Sequence, residues 1–163
     1  MAYTIVNTTI GVQAIATTET TQKQPLGTRV RAVDPVYGEG EFIYLVGVAS
    51  TAIGSWVTYD QDGHTTALLA ANAIGPVAVA MSANVASQYG WYQIFGKAIG
   101  LALAAYADNG LVYATATAGS IDDAVVAGDR VKLAKGASAV GVPSGSFAEF
   151  EIQYPFMDDG SAS

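Results

Sequence analysis

Residues 75–104 read GPVAVAMSANVASQYGWYQIFGKAIGLALA, and the conformation of this stretch decides the class of the whole chain. Val77 and Val79 alternate with Ala78 and Ala80, the period-two pattern of a strand. A turn region over Ser82–Tyr89 follows, and Gly90 leads into Trp91-Tyr92-Gln93-Ile94-Phe95, a run rich in β-favouring aromatics. Gly96 permits a bend or bulge before Ala98–Ala104. In that last segment Ile99, Leu101 and Leu103 fall on one strand face. Ala98, Gly100, Ala102 and Ala104 fall on the other, where only close-packed backbone or a flat contact is comfortable. Lys97–Ala107 also reads as an alanine-rich helix, since Ala and Leu are good helix formers. Gly100 and the strands before it weigh against that. The stretch has the character of a barrel or sandwich wall and nothing in it looks catalytic.

Strand signals continue on both sides. Upstream, Gly27–Asp34 alternates, Asp34-Pro35 opens a turn, and Phe42–Val48 and Ser55–Tyr59 are further strands. Asp60-Gln61-Asp62-Gly63 is a hairpin turn signal that returns through Thr65–Ala71. Downstream, Ala107–Gly110 is a turn, Leu111–Thr117 and Arg130–Ala134 are strands, and Phe147–Tyr154 alternates strongly until Pro155 ends it. Ser120-Ile121-Asp122-Asp123 has the form of a helix N-cap with acids in the first turn. Gly128 then closes a short helix, or the whole segment is a wide loop. Short strands at turn-punctuated intervals predict a mainly β fold, an antiparallel barrel-like or sandwich body over residues 27–156 with at most one or two short helices.

The two ends differ from the body. Residues 1–26 are rich in threonine, and their apolar side chains Tyr3, Ile5, Val6, Ile10, Val12 and Ile15 show no common core face. The segment is expected to be an extended arm that orders by pairing with something else, with those six residues filling pockets on a partner. Residues 157–163 form a polar, acidic tail expected to be disordered.

The totals narrow the function. A chain of 163 residues suffices for one domain with a real core. The absence of cysteine removes disulfides, thiol catalysis and thiolate metal sites together. No stretch approaches the roughly 20 apolar residues that span a bilayer, and Met1-Ala2-Tyr3-Thr4 lacks the regions of a secretory signal. A net charge of −7 disfavours gripping nucleic acid, which needs Lys and Arg to neutralise phosphates. Only 13% of residues are charged, a makeup common where other chains cover much of the surface. Residues 1–31 carry +2, from Lys23, Arg29 and Arg31 against Glu19, which leaves −9 for the rest. This asymmetry is either chance in a charge-poor chain or the mark of an arm that docks on a surface of different charge.

Residues suited to catalysis are few and scattered. His64, the single histidine, follows a turn and has only Asp62 as a nearby partner, whereas a general base needs a positioned one. Asp60-x-Asp62-Gly63 resembles the start of a calcium loop, but the position that needs its final Glu holds Ala71, so a plain turn is the better reading. Asp122-Asp123 and Asp158-Asp159 are adjacent in sequence, unlike the paired carboxylates of glycosidases. Trp56, Trp91 and Tyr92 form either a sugar platform or buried wall aromatics. No enzymatic activity, cofactor or metal is expected.

The segments Gly75–Ser82 and Tyr89–Ile94 resemble capsid decoration (cement) proteins of tailed bacteriophages. Val112–Ala116 followed by Val126–Val131 is similar to the same group, and the likeness spans roughly residues 27–154. It implies a small β-barrel-like or β-tulip body on the outer surface of the head, in the virion. There it ties neighbouring major capsid proteins together, commonly as a homotrimer at three-fold positions, with an N-terminal arm adding a strand to the capsid protein. The small-residue face of Ala98, Gly100, Ala102 and Ala104 is the expected contact between copies. The competing expectation is a carbohydrate- or receptor-binding β module on a virion or cell surface.

Overall fold

A computed structural model describes residues 2–6 and 12–158. Eleven strands form one antiparallel sheet, and no helix occurs among the described residues. In chain order the first six are β1 (Thr4–Ile5), β2 (Arg29–Asp34), β3 (Gly38–Val46), β4 (Trp56–Tyr59), β5 (Thr66–Leu68) and β6 (Val77–Ala80). They are followed by β7 (Tyr89–Leu101), β8 (Leu111–Ala114), β9 (Ile121–Asp122), β10 (Arg130–Gly136) and β11 (Phe147–Met157). The sheet order is β1-β2-β3-β7-β11-β10-β8-β9, with β6, β4 and β5 branching from β7. The mainly β class expected from the sequence holds, and the sheet is not closed into a barrel. No helix among the described residues is long and apolar enough to cross a membrane.

The stretch 75–104 supplies β6 and β7. Gly96 does not interrupt β7, which runs for 13 residues. It bends the strand at φ +102°, and a Cβ there would sit 2.5 Å from the Glu39 carbonyl oxygen. At Phe95, β7 pairs with Glu41 of β3 on one side and Gln153 of β11 on the other. At Gln93 it pairs with Phe42 of β3 and Val79 of β6. β6 and β11 therefore succeed each other along the same side of β7, and the sheet forks there.

This fork lets single strands feed two clusters. Val77 and Val79 of β6 enter the largest cluster, with Trp56, Phe150, Ile121 and Tyr106. Ala78 and Ala80 enter a second, with Ile43, Leu45, Tyr92 and Ile94. The opposite face of β3 and β7 puts Phe42, Tyr44 and Trp91 into a third. Strands buried on both faces read as continuous apolar runs rather than clean alternation, as FIYLV in β3 does.

Three of the small residues expected to contact another copy lie inside this chain instead. Ala98 is fully buried, Ala102 is 4% exposed, and both belong to the largest cluster. Gly100 lies against the Trp56 indole, where a Cβ would come within 2.4 Å of Nε1. The flat contact required by the sequence is thus an intramolecular tryptophan, itself packed edge-on against Phe150 at 4.9 Å. Only Ala104, in the turn after β7, is exposed.

Two other expectations give way to packing. Ser120–Asp123 does not start a helix, because Ile121 is fully buried and pairs with Ala114 of β8. A helix of two turns is marginal by itself, and burying Ile121 outweighs its local cap. Pro155 does not end β11. The β10–β11 register passes from Lys132↔Phe156 to Ala134↔Ile152, so Pro155 sits in a bulge where its missing N–H costs no ladder bond. Met157 is 3% exposed in the core, and Lys132 Nζ pairs with the Asp158 carboxylate at 2.7 Å. Residues 157 and 158 therefore belong to the body, while 159–163 lie outside the described residues.

Gly100→Val should reduce the unfolding free energy by about 1–3 kcal/mol or more through overpacking against Trp56. Urea denaturation checks this, and an unchanged midpoint would place Gly100 outside the core.

Candidate functional site

The N-terminal segment lies across the body as a strap. Thr4 and Ile5 pair with Val33 and Ala32 at the outer edge of β2, and the Val6 amide donates to the Arg31 carbonyl at 2.9 Å. Further along, Glu19 and Tyr89 exchange main-chain bonds of 2.9 and 2.8 Å. The Lys23 amide donates to the Tyr44 hydroxyl at 3.3 Å. Between these ties Ile15 is 2% exposed, in one cluster with Phe42, Tyr44 and Trp91, and Tyr3, Ile5 and Val12 pack around it.

This corrects the expectation that residues 1–26 lack a core face. Tyr3, Ile5, Val12 and Ile15 cover the third cluster of their own chain, and Val6 is the exposed one at 53%. Ile10 lies outside the described residues. The face was hidden because its members are irregularly spaced, and their partners are distant in sequence.

Two polar sockets, neither signalled by sequence pattern, seat the start of the strap. Asp34, at the end of β2, is 3% exposed. Its carboxylate accepts the amides of Val36 at 2.7 Å, Tyr37 at 3.0 Å and Ala2. Burial pushes this carboxyl up, but the amides of Tyr37, Val36 and Ala2 outweigh burial and hold it below the usual carboxylate range. The second socket is built on Gln93, wholly buried in β7. The Tyr3 hydroxyl donates to the Lys97 carbonyl at 3.0 Å and accepts from Gln93 Nε2 at 3.3 Å. The Tyr3 ring stands edge-on to Phe42 at 4.8 Å. Burial, partly opposed by the Gln93 bond, pushes the Tyr3 phenol up to about 12.

Charge does not distinguish the strap as the sequence suggested. Arg31 Nε meets the Glu39 carboxylate at 2.7 Å, and Arg29 Nη1 meets Glu41 at 3.7 Å. Two of the three cations in residues 1–31 are therefore balanced by β3.

Comparison with family models, curated proteins and solved structures finds no match to this chain.

The other sequence candidates fall into structural roles. The Asp60 carboxylate accepts the amides of Asp62 at 2.9 Å and Gly63 at 2.8 Å, closing a turn by itself. The His64 ring packs on Gly27, where a Cβ would meet Nε2 at 2.2 Å. Asp123 accepts the Ala107 amide at 3.0 Å. Trp56, Trp91 and Tyr92 are fully buried, so they form no sugar platform. Among the described residues no group of three or more His, Cys, Asp or Glu is placed to hold a metal.

Ile15→Ala should cost about 2–5 kcal/mol of stability, and deletion of residues 2–24 should cost more by uncovering Phe42, Tyr44 and Trp91. Urea titration of a truncated chain as stable as the full one would show that the strap contributes nothing to the body. Tyr3 also predicts an alkaline limit. Its folded value of about 12 exceeds the ordinary 10.0, so its contribution is complete below pH 10 and is lost as pH rises from 10 to 12. Tyr3→Phe should flatten that part of the stability–pH curve, and equal slopes in the two chains would refute the assignment.

Proposed function

We propose that this chain is a structural virion protein that binds the outer surface of a tailed-phage head and ties neighbouring major capsid proteins together. The observation that carries this reading is the sequence resemblance of Gly75–Ser82, Tyr89–Ile94, Val112–Ala116 and Val126–Val131 to capsid decoration proteins. Those residues make up β6, the first half of β7, and β8 with the start of β10. A charge-poor β body without cysteine agrees with a role that needs surfaces rather than an active site.

The strap sets the form of the contact. Tyr3 and Ile15 are committed to their own body, so they do not fill pockets on the capsid. The outer edge of β1 and the exposed residues Val6, Thr20, Thr21, Gln22 and Lys23 remain for the capsid protein. An edge strand of two residues leaves room for a capsid strand to extend the pairing. The proposed assembly is a homotrimer at three-fold positions, and its contacts lie outside Ala98–Ala102, which the core occupies.

Purified particles of the phage encoding this chain should carry it on the outside of the head, open to antibody. Particles made without it should release DNA at lower temperature and regain stability when the pure protein is added back. Label found only on tails or fibres, or heads equally stable with and without the protein, would overturn the reading.

A further inference from the structure

We propose that the groove beside the β10–β11 bulge binds a neutral oligosaccharide, a function independent of attachment to a capsid. The groove encloses about 500 Å3, and its lining includes Arg29, Tyr59, Gln61, Pro76, Tyr154 and Phe156. A second hollow of about 440 Å3 shares Tyr59, Gln61 and Pro76 with it, so the two lie side by side. Adjacent hollows suit an extended chain of rings better than a single small molecule.

The aromatic content of this groove is unusual for the molecule. Among the described residues the large exposed aromatics are Tyr154 at 47% and Phe156 at 41%, and both line it. The backbone is distorted where they sit. Tyr154 has φ +53°, and Leu133 on the facing strand has φ +59°, in a left-handed region that non-glycine residues rarely occupy. Bulges of this kind re-aim side chains. Here Tyr154 is turned so that its ring lies 5.4 Å from Phe95 at 35° and its hydroxyl donates to Glu41 at 2.5 Å. The ring is thus fixed before any ligand arrives, which spares the cost of ordering it on binding.

The polar groups select the ligand class. Two main-chain acceptors on the floor are spent: the Gly75 carbonyl accepts from Met157 at 2.9 Å and the Pro76 carbonyl from Tyr59 at 3.1 Å. Pro76 and Pro155 have no N–H to offer. An extended peptide would find few main-chain partners there. What remains are ring faces and planar polar tips, the Gln61 amide and the Arg29 guanidinium. Arg29 meets Glu41 through Nη1 at 3.7 Å and keeps other donors of its fork for a ligand. Pyranose rings match this set, because their C–H faces seek the negative face of an aromatic ring and their hydroxyls both donate and accept. The balance of Arg29 by Glu41 favours a neutral sugar over a charged one.

The full chain should be applied to a printed array of neutral bacterial and plant oligosaccharides, and the best binder titrated by NMR. Tyr154→Asn removes the ring with a residue that tolerates positive φ, and Gln61→Ala, on an exposed turn, is a second variant less able to disturb folding. The expected result is a bound neutral oligosaccharide whose affinity falls about tenfold or more in both variants, with circular dichroism unchanged. Val125→Ala, which lines a different hollow, should bind as the parent does. No binder on the array, binding equal in all variants, or preference for a proline-rich peptide over every saccharide would overturn the proposal.

Discussion

Strands β3 and β7 are apolar on both faces, and every apolar face left to water costs about 25 cal/mol per Å2. The architecture answers that constraint twice. The fork at β7 brings β6 and then β11 to one side, so one face of β3 and β7 meets Val57, Ala78 and Ala80 in the second cluster. The other face, with Phe42, Tyr44 and Trp91, meets no further layer of sheet among the described residues. Residues 2–6 and 12–26 cover it, with Ile15 in the cluster and Tyr3, Ile5, Val12 and Leu26 packed against it. A strap ordered in this way regains through burial what its backbone loses in freedom. Its threonines need not be apolar, because a few well-seated side chains do the covering.

The strap also changes how attachment to another body has to work. A segment that is free until it meets a partner can offer all its apolar side chains. A segment already seated offers an edge and an outer surface. Asp34 and Gln93 fix its first residues through amide and phenol bonds, so its register on β2 is set before any second protein is met. In the proposed role on a capsid, specificity rests on backbone geometry at β1 more than on filled pockets.

Most strands were legible because their signals are local. Alternation in VAVA, the aromatic run after Gly90, the Asp-Gly turn at 62–63 and the alternation of FAEFEIQY each lie within a single element. The small-residue face of Ala98, Gly100 and Ala102 was legible as a demand for a flat partner, but not as Trp56, more than 40 residues away in sequence. The strap was illegible for the same reason: Tyr3, Ile5, Val12 and Ile15 have no period, and only β3 and β7 give them a common face. Pro155 misled because a local rule about proline ignores the bulge that accommodates it. Tyr154 was hidden behind it, since alternation cannot signal a left-handed residue inside a strand.

The two tryptophans occupy different clusters, and this gives the molecule a pair of separate optical probes. Both indoles are fully buried, so the folded chain should emit at short wavelength. Trp56 stands against Phe150 in the largest cluster, whereas Trp91 lies 5.0 Å from Tyr44 beneath the strap. Water that enters when the strap lifts reaches Trp91 while Trp56 stays dry. With phenylalanine in place of one indole at a time, the emission colour separates loosening of residues 2–26 from melting of the sheet.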